Sequence, residues 1–474
     1  MTAPAGPKAG RRVAARRGPR FLGAGVTPVV VLLLAVGAVL LAGARHPRVD
    51  RPASATGQPV TDVLTACPQG SATAQILTGS IPLPALGGSG TLSVAPLAGA
   101  ATKTAIQRGV LTTLPAAGKA TVVDAAGPAA AGHFGVLVDH SHGALAALRC
   151  SPPRSTWWFT GAAGTLDHGS RLLVANVDPG PAVVDVRVLG EQGPVDTVGT
   201  RGITLAPDSV RTFSLTGIAP KGQDLAVEVR ASRGRVVAAV ADSYAVGPGA
   251  PVGSDWLPDQ RVPSRVVRIA AVPQGSRPTL LLTNPSSLTA LVGMRVEGPN
   301  GIFTPTQHAQ VQVPAHSTRA VDISPAVGHE TAGLLLRSRV PVVATVRSLA
   351  AGDSLHAAAV RPLEDAAAAA WPPGVRSRLL LTAGALPATA SVAAYDERGH
   401  RLAGTVLHLA PGSTVSWRPP GHAGYLTVTP GDGAVHGAVV LTGSGVAEVP
   451  LEGLPIRVER PVVRPGPVGY SSSP

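Results

Sequence analysis

An internal repeat about one hundred residues long runs through this chain of 474 residues. The sequence LLVANVDPG begins at Leu172, and the similar LLLTNPSSL begins at Leu280. In both copies a Val-rich segment ending in a Gly turn follows, and then a segment with a Pro-x-Ser corner, at Pro207–Ser209 and Pro314–Ser317. A period this long indicates one domain per repeat rather than a solenoid of short units.

Two further copies extend the pattern to most of the chain. One begins at Leu379 and keeps the Pro-x-Ser corner at Pro411–Ser413, and a weaker copy ends at Cys150. Each copy contains about six or seven short segments with alternating apolar residues and frequent turns, which is typical of a two-sheet β-sandwich. With 56 Gly and 46 Pro, long helices are disfavoured. We therefore predict an all-β chain of about four tandem immunoglobulin-like β-sandwiches, with a single all-β barrel as the alternative.

The amino terminus predicts a membrane segment. The segment from Phe21 to Ala44 has no charged residue and is long enough to cross a bilayer as a helix. Six basic residues precede this segment, so the amino terminus is expected to stay in the cytoplasm and the rest of the chain to lie outside it. Membrane lipid is thus an expected partner. A signal peptide cleaved near Ala44, which would release the protein, remains the alternative.

The two cysteines agree with an oxidising compartment. Cys67 and Cys150 are the only cysteines of the chain, and both follow the apolar segment. Such a compartment favours their pairing, so we predict a disulfide, with two free thiols as the alternative.

These patterns predict an order of segments along the chain. They are a basic cytoplasmic tail (1–20), a transmembrane anchor or signal segment (21–44), a stalk (45–60), four sandwiches (61–153, 154–250, 256–362 and 370–455) and a Pro-rich tail (456–474).

Three motifs stand out in roughly residues 60–455: Cys67-Pro68, Cys150-Ser151-Pro152 and Trp157-Trp158-Phe159. With these motifs the layout resembles an actinobacterial family of unknown function, whose members are membrane-anchored or secreted envelope proteins with immunoglobulin-like repeats. The third clear copy departs from the pattern, with Ala383-Gly384 where Asn-Pro is expected. The resemblance implies an envelope protein and supplies no catalytic residues.

No motif predicts an enzyme, a cofactor or a metal site. The chain lacks a Gly-x-Ser-x-Gly elbow and a phosphate-binding loop. Asp139, His140 and His142 could supply metal ligands from one turn, but turn composition favours a polar turn, and no second segment supplies further ligands. The net charge of +13 is concentrated before Asp50 and has no interleaved aromatics, so nucleic acid is not an expected partner.

The tryptophans offer the remaining candidates for ligand contact. Near the starts of the repeats, large rings are expected to seal junctions between sandwiches, and an exposed platform for a ligand is the alternative reading. The residues concerned are Trp157, Trp158, Trp256 and Trp371.

Taken together, these features predict a non-enzymatic, membrane-anchored extracytoplasmic scaffold that binds another envelope protein or an envelope polysaccharide. A polysaccharide-binding accessory protein of glycan synthesis or export is the alternative, and an envelope hydrolase is the third.

Overall fold

The chain folds almost entirely into antiparallel strands. The computed structural model describes Gly37 and residues 57–459, apart from 117, 142, 246–251, 261, 273–276, 329–330 and 351. Except for Gly37, the predicted cytoplasmic tail and membrane segment lie outside the described residues, as do most of the predicted stalk and the chain from 460 onward. In the part of the chain that is described, no helix has the length and apolar character needed to span a membrane.

The strands fall into four consecutive groups, here called repeats 1 to 4. Repeat 1 also has a single 3-10 turn at Pro128–Ala130, and its strands are β2 (Asp62–Cys67), β3 (Gln75–Ser80), β4 (Ser89–Pro96), β5 (Thr102–Gln107), β6 (Leu111–Pro115), β7 (Thr121–Ala126), β8 (His133–Ser141) and β9 (Ala144–Arg149). Repeat 2 includes the one-turn helix α1 (Leu215–Ile218), and its strands are β10 (Thr156–Ala162), β11 (His168–Asn176), β12 (Ala182–Gly190), β13 (Gly193–Val195), β14 (Ile203–Leu205), β15 (Ser209–Ser214), β16 (Leu225–Arg233), β17 (Val237–Ala245) and β18 (Val252–Leu257).

Repeats 3 and 4 continue the series. Repeat 3 includes the helix α2 (Ser324–Val327), and its strands are β19 (Ser264–Val272), β20 (Arg277–Asn284), β21 (Ala290–Gly298), β22 (Gly301–Phe303), β23 (Gln310–Val313), β24 (Ser317–Asp322), β25 (Ala332–Ala350) and β26 (Asp353–Ala357). The strands of repeat 4 are β27 (Ala367–Ala370), β28 (Arg376–Ala383), β29 (Ala388–Tyr395), β30 (Arg401–Leu409), β31 (Thr414–Trp417), β32 (Tyr425–Pro430), β33 (Val435–Thr442) and β34 (Val446–Pro450). Two strands outside the repeats pair with each other, β1 (Gly57–Pro59) and β35 (Arg457–Glu459).

One strand order recurs in all four repeats. Repeat 1 has sheets β2-β7-β4-β5 and β6-β3-β8-β9, and repeat 4 has β27-β32-β29-β30 and β31-β28-β33-β34. Repeat 2 follows the same order with β14 added beside β12, and in repeat 3 the long β25 runs through both sheets. An immunoglobulin domain has sheets ABED and CFG. In repeats 1 and 4 the second strand pairs with the fifth and the third with the sixth, as in an immunoglobulin domain. The first and seventh strands lie in the opposite sheets, so the strand order differs from that of an immunoglobulin domain.

Alternating apolar residues form the core between the two sheets of each repeat. In repeat 2, Val184, Val186 and Val188 of β12 face Leu172 and Val174 of β11 in one buried cluster. The alternation follows from the pleat, which sends successive side chains to opposite faces of a strand. The predicted all-β class is confirmed.

The Pro-x-Ser corner has the same geometry in three repeats. The hydroxyls of Ser209, Ser317 and Ser413 each donate to the carbonyl three residues earlier, at 2.7, 3.0 and 2.9 Å. The residue before each serine has a positive φ, between 52° and 61°. A left-handed residue is costly unless it is Gly or a polar residue that tolerates this region, and the three sites carry Asp208, His316 and Gly412.

A buried asparagine fixes the end of one core strand in repeats 2 and 3. The Asn284 amide donates to the carbonyls of Leu288, Val313 and Pro314 at 2.7, 3.1 and 2.9 Å, and its Oδ1 accepts from the Ser286 amide at 3.1 Å. Asn176 makes the equivalent set of bonds in repeat 2.

We expect Asn284→Ala to lower the free energy of unfolding by about 2–3 kcal/mol, because it leaves buried carbonyls without a donor. Urea unfolding of the full chain measures this loss. The exposed Asn300 provides the control, since its side chain lies at the surface, and Asn300→Ala should change stability by less than about 0.5 kcal/mol. Equal effects of the two substitutions would contradict the assigned role.

Two predicted boundaries differ from the structure. Trp256 was placed at the start of the third sandwich, but β18 pairs with β17 and closes the second sheet of repeat 2. The last strand of repeat 2 thus lies beyond residue 250, where the second sandwich is predicted to end. The ends of the predicted stalk and tail are also ordered, because β1 and β35 pair and the Val60 amide donates to the Ile456 carbonyl at 3.0 Å.

The predicted disulfide is confirmed. Cys67 at the end of β2 and Cys150 just after β9 are bonded, with their Cα atoms 4.6 Å apart. The bond joins the two sheets of repeat 1, since β2 and β9 belong to different sheets.

Candidate functional site

The last strands of the four repeats meet at one place. β9 contacts β18 and β34, and β26 contacts the same two strands. Each repeat therefore contacts the next one along the chain, and repeat 4 also contacts repeat 1. We call the meeting point of these strands the four-strand junction.

Asp353, the first residue of β26, joins all four repeats. Its Oδ2 accepts from the amides of Leu145 in repeat 1 and Val446 in repeat 4, at 2.9 and 3.0 Å. Its Oδ1 accepts from the Ser354 amide at 2.9 Å, and the Ser254 amide of repeat 2 also donates to this carboxylate. A single buried side chain thus accepts backbone N–H groups from the start of each last strand. Edge strands carry such unpaired groups, which otherwise favour aggregation.

Close packing at the junction requires glycine. A Cβ at Gly445 would lie 2.0 Å from Asp353 Oδ2 and 2.6 Å from the Leu145 nitrogen, and one at Gly253 would lie 2.8 Å from the Ser354 nitrogen. No side chain fits at either position without moving the backbone groups that Asp353 binds.

Two more carboxylates cross between repeats in the same way. Asp255 of β18 accepts from the His356 amide at 3.0 Å, and Glu448 of β34 accepts from the Ala358 amide at 3.1 Å. Burial raises the pKa of both groups well above their ordinary values, and a neighbouring carboxylate adds to the shift of each. Burial also raises the pKa of Asp353, although its hydrogen bonds with amides oppose the shift.

The His356 imidazole lies between two of the carboxylates. Its Nε2 is 3.5 Å from Asp242 Oδ2 and its Nδ1 is 3.6 Å from Asp255 Oδ2, and neither nitrogen has a hydrogen-bond partner among the described residues. Burial lowers the pKa of His356 to about 4, despite the opposing pull of Asp242. The neutral ring is therefore favoured at neutral pH.

Ser170, Asp242 and His168 bring hydrolase-type groups together in repeat 2. Ser170 Oγ donates to Asp242 Oδ1 at 2.5 Å, and His168 Nε2 lies 2.9 Å from Asp242 Oδ2. Burial raises the pKa of Asp242, but its bonds to His168 and Ser170 outweigh burial, so the pKa lies below its ordinary value. The carboxylate is the middle group here, whereas in a nucleophilic triad the histidine contacts the serine. This order favours a structural network.

The Ser170–Asp242 pair borders a cleft of about 630 Å³ between repeats 1 and 2. Asp139, from the predicted polar turn, also faces the cleft, and its Oδ2 accepts from the Ser71 amide at 2.7 Å. His142 lies outside the described residues. Within the described ranges, no group of three or more His, Cys, Asp or Glu side chains is placed to hold a metal ion.

The four candidate tryptophans are buried. Trp157, Trp158, Trp256 and Trp371 have exposed fractions of 1, 3, 6 and 2%. The Trp157 Nε1 donates to the Val236 carbonyl at 2.9 Å, and the Arg154 guanidinium lies 3.6 Å from the centre of its ring. With so little exposed surface, none of the four rings offers a broad platform to a ligand, although Trp256 and Trp371 border clefts.

A buried histidine of repeat 1 predicts acid sensitivity. Burial lowers the pKa of His133 to about 4 from 6.5, and its Nε2 is bonded to Thr78 Oγ1 at 2.8 Å. Because the folded pKa is below the unfolded one, the stabilisation is present above pH 6.5 and is lost as the pH falls from 6.5 towards 4. The loss amounts to at most about 3 kcal/mol.

We therefore expect the stability difference between the natural protein and His133→Gln to shrink by about 2–3 kcal/mol between pH 7 and pH 4. Urea unfolding at several pH values measures this change. His422 is exposed, and His422→Gln should show a difference that does not depend on pH. A difference for His133→Gln that is equally flat would contradict the prediction.

Comparison with known proteins gives one family. A family model described as a family of unknown function (DUF5719) matches residues 98–420. No curated protein matches the chain. A solved structure described as "Crystal structure of tetra-tandem repeat in extending region of large adhesion protein" is 12% identical, covering 82% of this chain and 98% of that chain, with a TM-score of 0.11. At this TM-score the likeness carries no argument.

Proposed function

Starting from the fact that the chain belongs to the DUF5719 family of unknown function, we propose that it is a non-enzymatic, membrane-anchored extracytoplasmic scaffold of the cell envelope. The observation that carries the scaffold role is the four-strand junction. Carboxylates of one repeat bind backbone amides of the others there, so the four repeats act as one rigid body. A rigid body can hold a bound partner at a fixed position, which a flexible string of domains does not do.

Two features support the location outside the cytoplasm. The Cys67–Cys150 disulfide is of the kind that persists in oxidising compartments. The uncharged segment from Phe21 to Ala44 has the length of a membrane anchor, and the basic residues before it favour a cytoplasmic amino terminus.

The buried polar network supports a structural rather than a catalytic role. Asp353, Asp255 and Glu448 are engaged with backbone amides, and Asp242 separates Ser170 from His168. In these arrangements the side chains already have protein partners that a substrate would have to displace.

A polysaccharide-binding accessory role in glycan synthesis or export is the second candidate. It is favoured by a cleft between repeats 3 and 4 whose charged residues are all arginines, since acidic envelope glycans carry the opposite charge.

Thiol labelling of cells that carry the full chain tests the location. When free thiols are blocked before lysis, the denatured protein should take up maleimide at Cys67 and Cys150 only after reduction, and intact mass should include Met1–Ala44. Labelling without reduction would show free thiols and overturn the location in an oxidising compartment. A mass that begins at Arg45 would show a released protein and overturn the anchor.

A further inference from the structure

Three arginines without acidic partners converge on a cleft between repeats 3 and 4. The cleft has a volume of about 650 Å³, and Arg376, Arg378 and Arg418 line it together with Thr331 of repeat 3. Among the described residues, no carboxylate lines this cleft, and none of the three guanidinium groups has an ion-pair partner.

The strand register brings these arginines together. Arg376 and Arg378 alternate with Leu379, which is fully buried in the core of repeat 4, so the two guanidinium groups lie on the opposite face of β28. Leu379 pairs with Trp417 of β31, which places Arg418 beside Arg378 on the neighbouring strand. Burial and the nearby Arg418 lower the pKa of Arg378, as expected for like charges held close together.

Several arginines of the repeats are paired with carboxylates. Arg268 and Glu297 form a charge-assisted pair with contacts of 2.9–3.0 Å, Arg347 binds Asp224 at 2.9 Å, and Arg154 binds Asp259. The three cleft arginines differ from these pairs because they share one recess that no carboxylate of the described residues lines. Arg378 is half-buried and Arg418 is exposed, and a bound anion would offset the repulsion between like charges held this close.

We propose that this cleft binds an acidic saccharide, that is, a sugar carrying a carboxylate or a phosphate group. Guanidinium groups bind both oxyanions through paired N–H donors. Thr331 and Thr442 also line the cleft, and their side chains can bond with the hydroxyls of a sugar ring. A recess between two repeats suits a chain or sugar ring better than the flat surface of a bilayer. The inference rests on the proposed function only in placing the cleft outside the cytoplasm, where such glycans lie.

Calorimetric titration of the full chain in a polyoxyethylene detergent tests the site. The probes are trigalacturonic acid, mannose 6-phosphate, the neutral maltotriose, and glycerol 3-phosphate as the soluble part of a lipid headgroup. We expect at least one acidic sugar to bind, maltotriose not to bind, and glycerol 3-phosphate to bind at least tenfold more weakly than the acidic sugar. Binding should weaken as the salt concentration rises.

Charge variants identify the residues. The double variant Arg378→Gln/Arg418→Gln should weaken binding of the acidic sugar at least tenfold, in line with the loss of charge-assisted contacts. The double variant Arg201→Gln/Arg211→Gln removes the same charge from exposed positions in repeat 2 and should stay within about twofold, because these residues lie outside the cleft. Arg418→Gln alone changes an exposed residue and keeps the test valid if the Arg378 change disturbs folding.

Three results would overturn the proposal: binding of neither acidic sugar, equal loss in both double variants, or binding of glycerol 3-phosphate as tight as that of the sugars. The last result would assign the cleft to a lipid headgroup. Because binding is measured on purified protein, these outcomes are independent of the labelling experiment on location.

Discussion

Asp353→Ala should lower the free energy of unfolding by about 4 kcal/mol or more, the largest effect we expect from a single substitution. The alanine leaves the amides of Leu145, Ser254 and Val446 buried without their acceptor. An unsatisfied buried donor costs about 1–3 kcal/mol. Because these donors belong to three other repeats, the loss falls on the contacts between repeats.

The shape of the unfolding curve should change as well. In the natural protein the carboxylate couples the repeats, so they are expected to unfold together. In Asp353→Ala we expect more than one transition in urea, detected by tryptophan fluorescence, since the repeats retain their own cores. Removal of a surface carboxylate does not have this effect.

Two comparison variants test whether the loss of stability comes from the hydrogen bonds that Asp353 accepts. Asp196 is exposed, and Asp196→Ala should change stability by less than about 0.5 kcal/mol. Asp353→Asn keeps one acceptor oxygen but turns an NH₂ donor towards backbone amides, so it should fall between the natural protein and the alanine variant. If Asp353→Ala unfolds in one transition with unchanged stability, the junction does not couple the repeats.

The repeat structure was predictable because duplication leaves matched residues in matched places. The corner serines Ser209, Ser317 and Ser413 were recognised from sequence, and each makes the same bond in the structure. These contacts are local, spanning three residues, so a short motif contains all the information that forms them. The placement of the first and seventh strands in opposite sheets has no such local signal, so the strand order could not be predicted from the sequence.

The four-strand junction was not predictable from the sequence. The residues that meet there are of different types in each repeat, Leu145, Ser254, Asp353 and Val446, so no motif recurs. The bonds join residues 93 and 208 positions apart along the chain. The available signal was weak: Asp255, His356 and Glu448 interrupt apolar strands at positions where a buried polar side chain needs a partner.

The arginine cleft shows a similar limit. Arg376 and Arg378 are visible as an alternating pair on one strand, but Arg418 is forty residues away from Arg378 and is brought beside it only by the pairing of β28 with β31. Arg268 also lies in a basic stretch of the sequence, but its guanidinium is paired with Glu297 in the structure. Unpaired charge is a property of the folded surface, and composition does not report it.

The second large effect is expected from removing the disulfide. Cys67→Ala/Cys150→Ala should lower the free energy of unfolding by about 4 kcal/mol, because the bond closes a loop with a sequence separation of 83 and restricts the unfolded chain. Repeat 1 depends on this bond because its first sheet has a small core of short side chains around Val123 and Ala125. The loss should appear in the unfolding of repeat 1 before that of the other repeats.

Reduction of the natural protein distinguishes the stability due to the cross-link from the stability due to the packing of the sulfur atoms. Both half-cystines are buried, so replacing them with alanine also removes volume from the core. The reduced natural protein keeps that volume, and its stability should lie within about 1 kcal/mol of the double variant if the cross-link dominates. Reduction without any loss of stability would show that the sheets of repeat 1 hold together without the bond. The disulfide would then still indicate the compartment but would not explain the stability of the repeat.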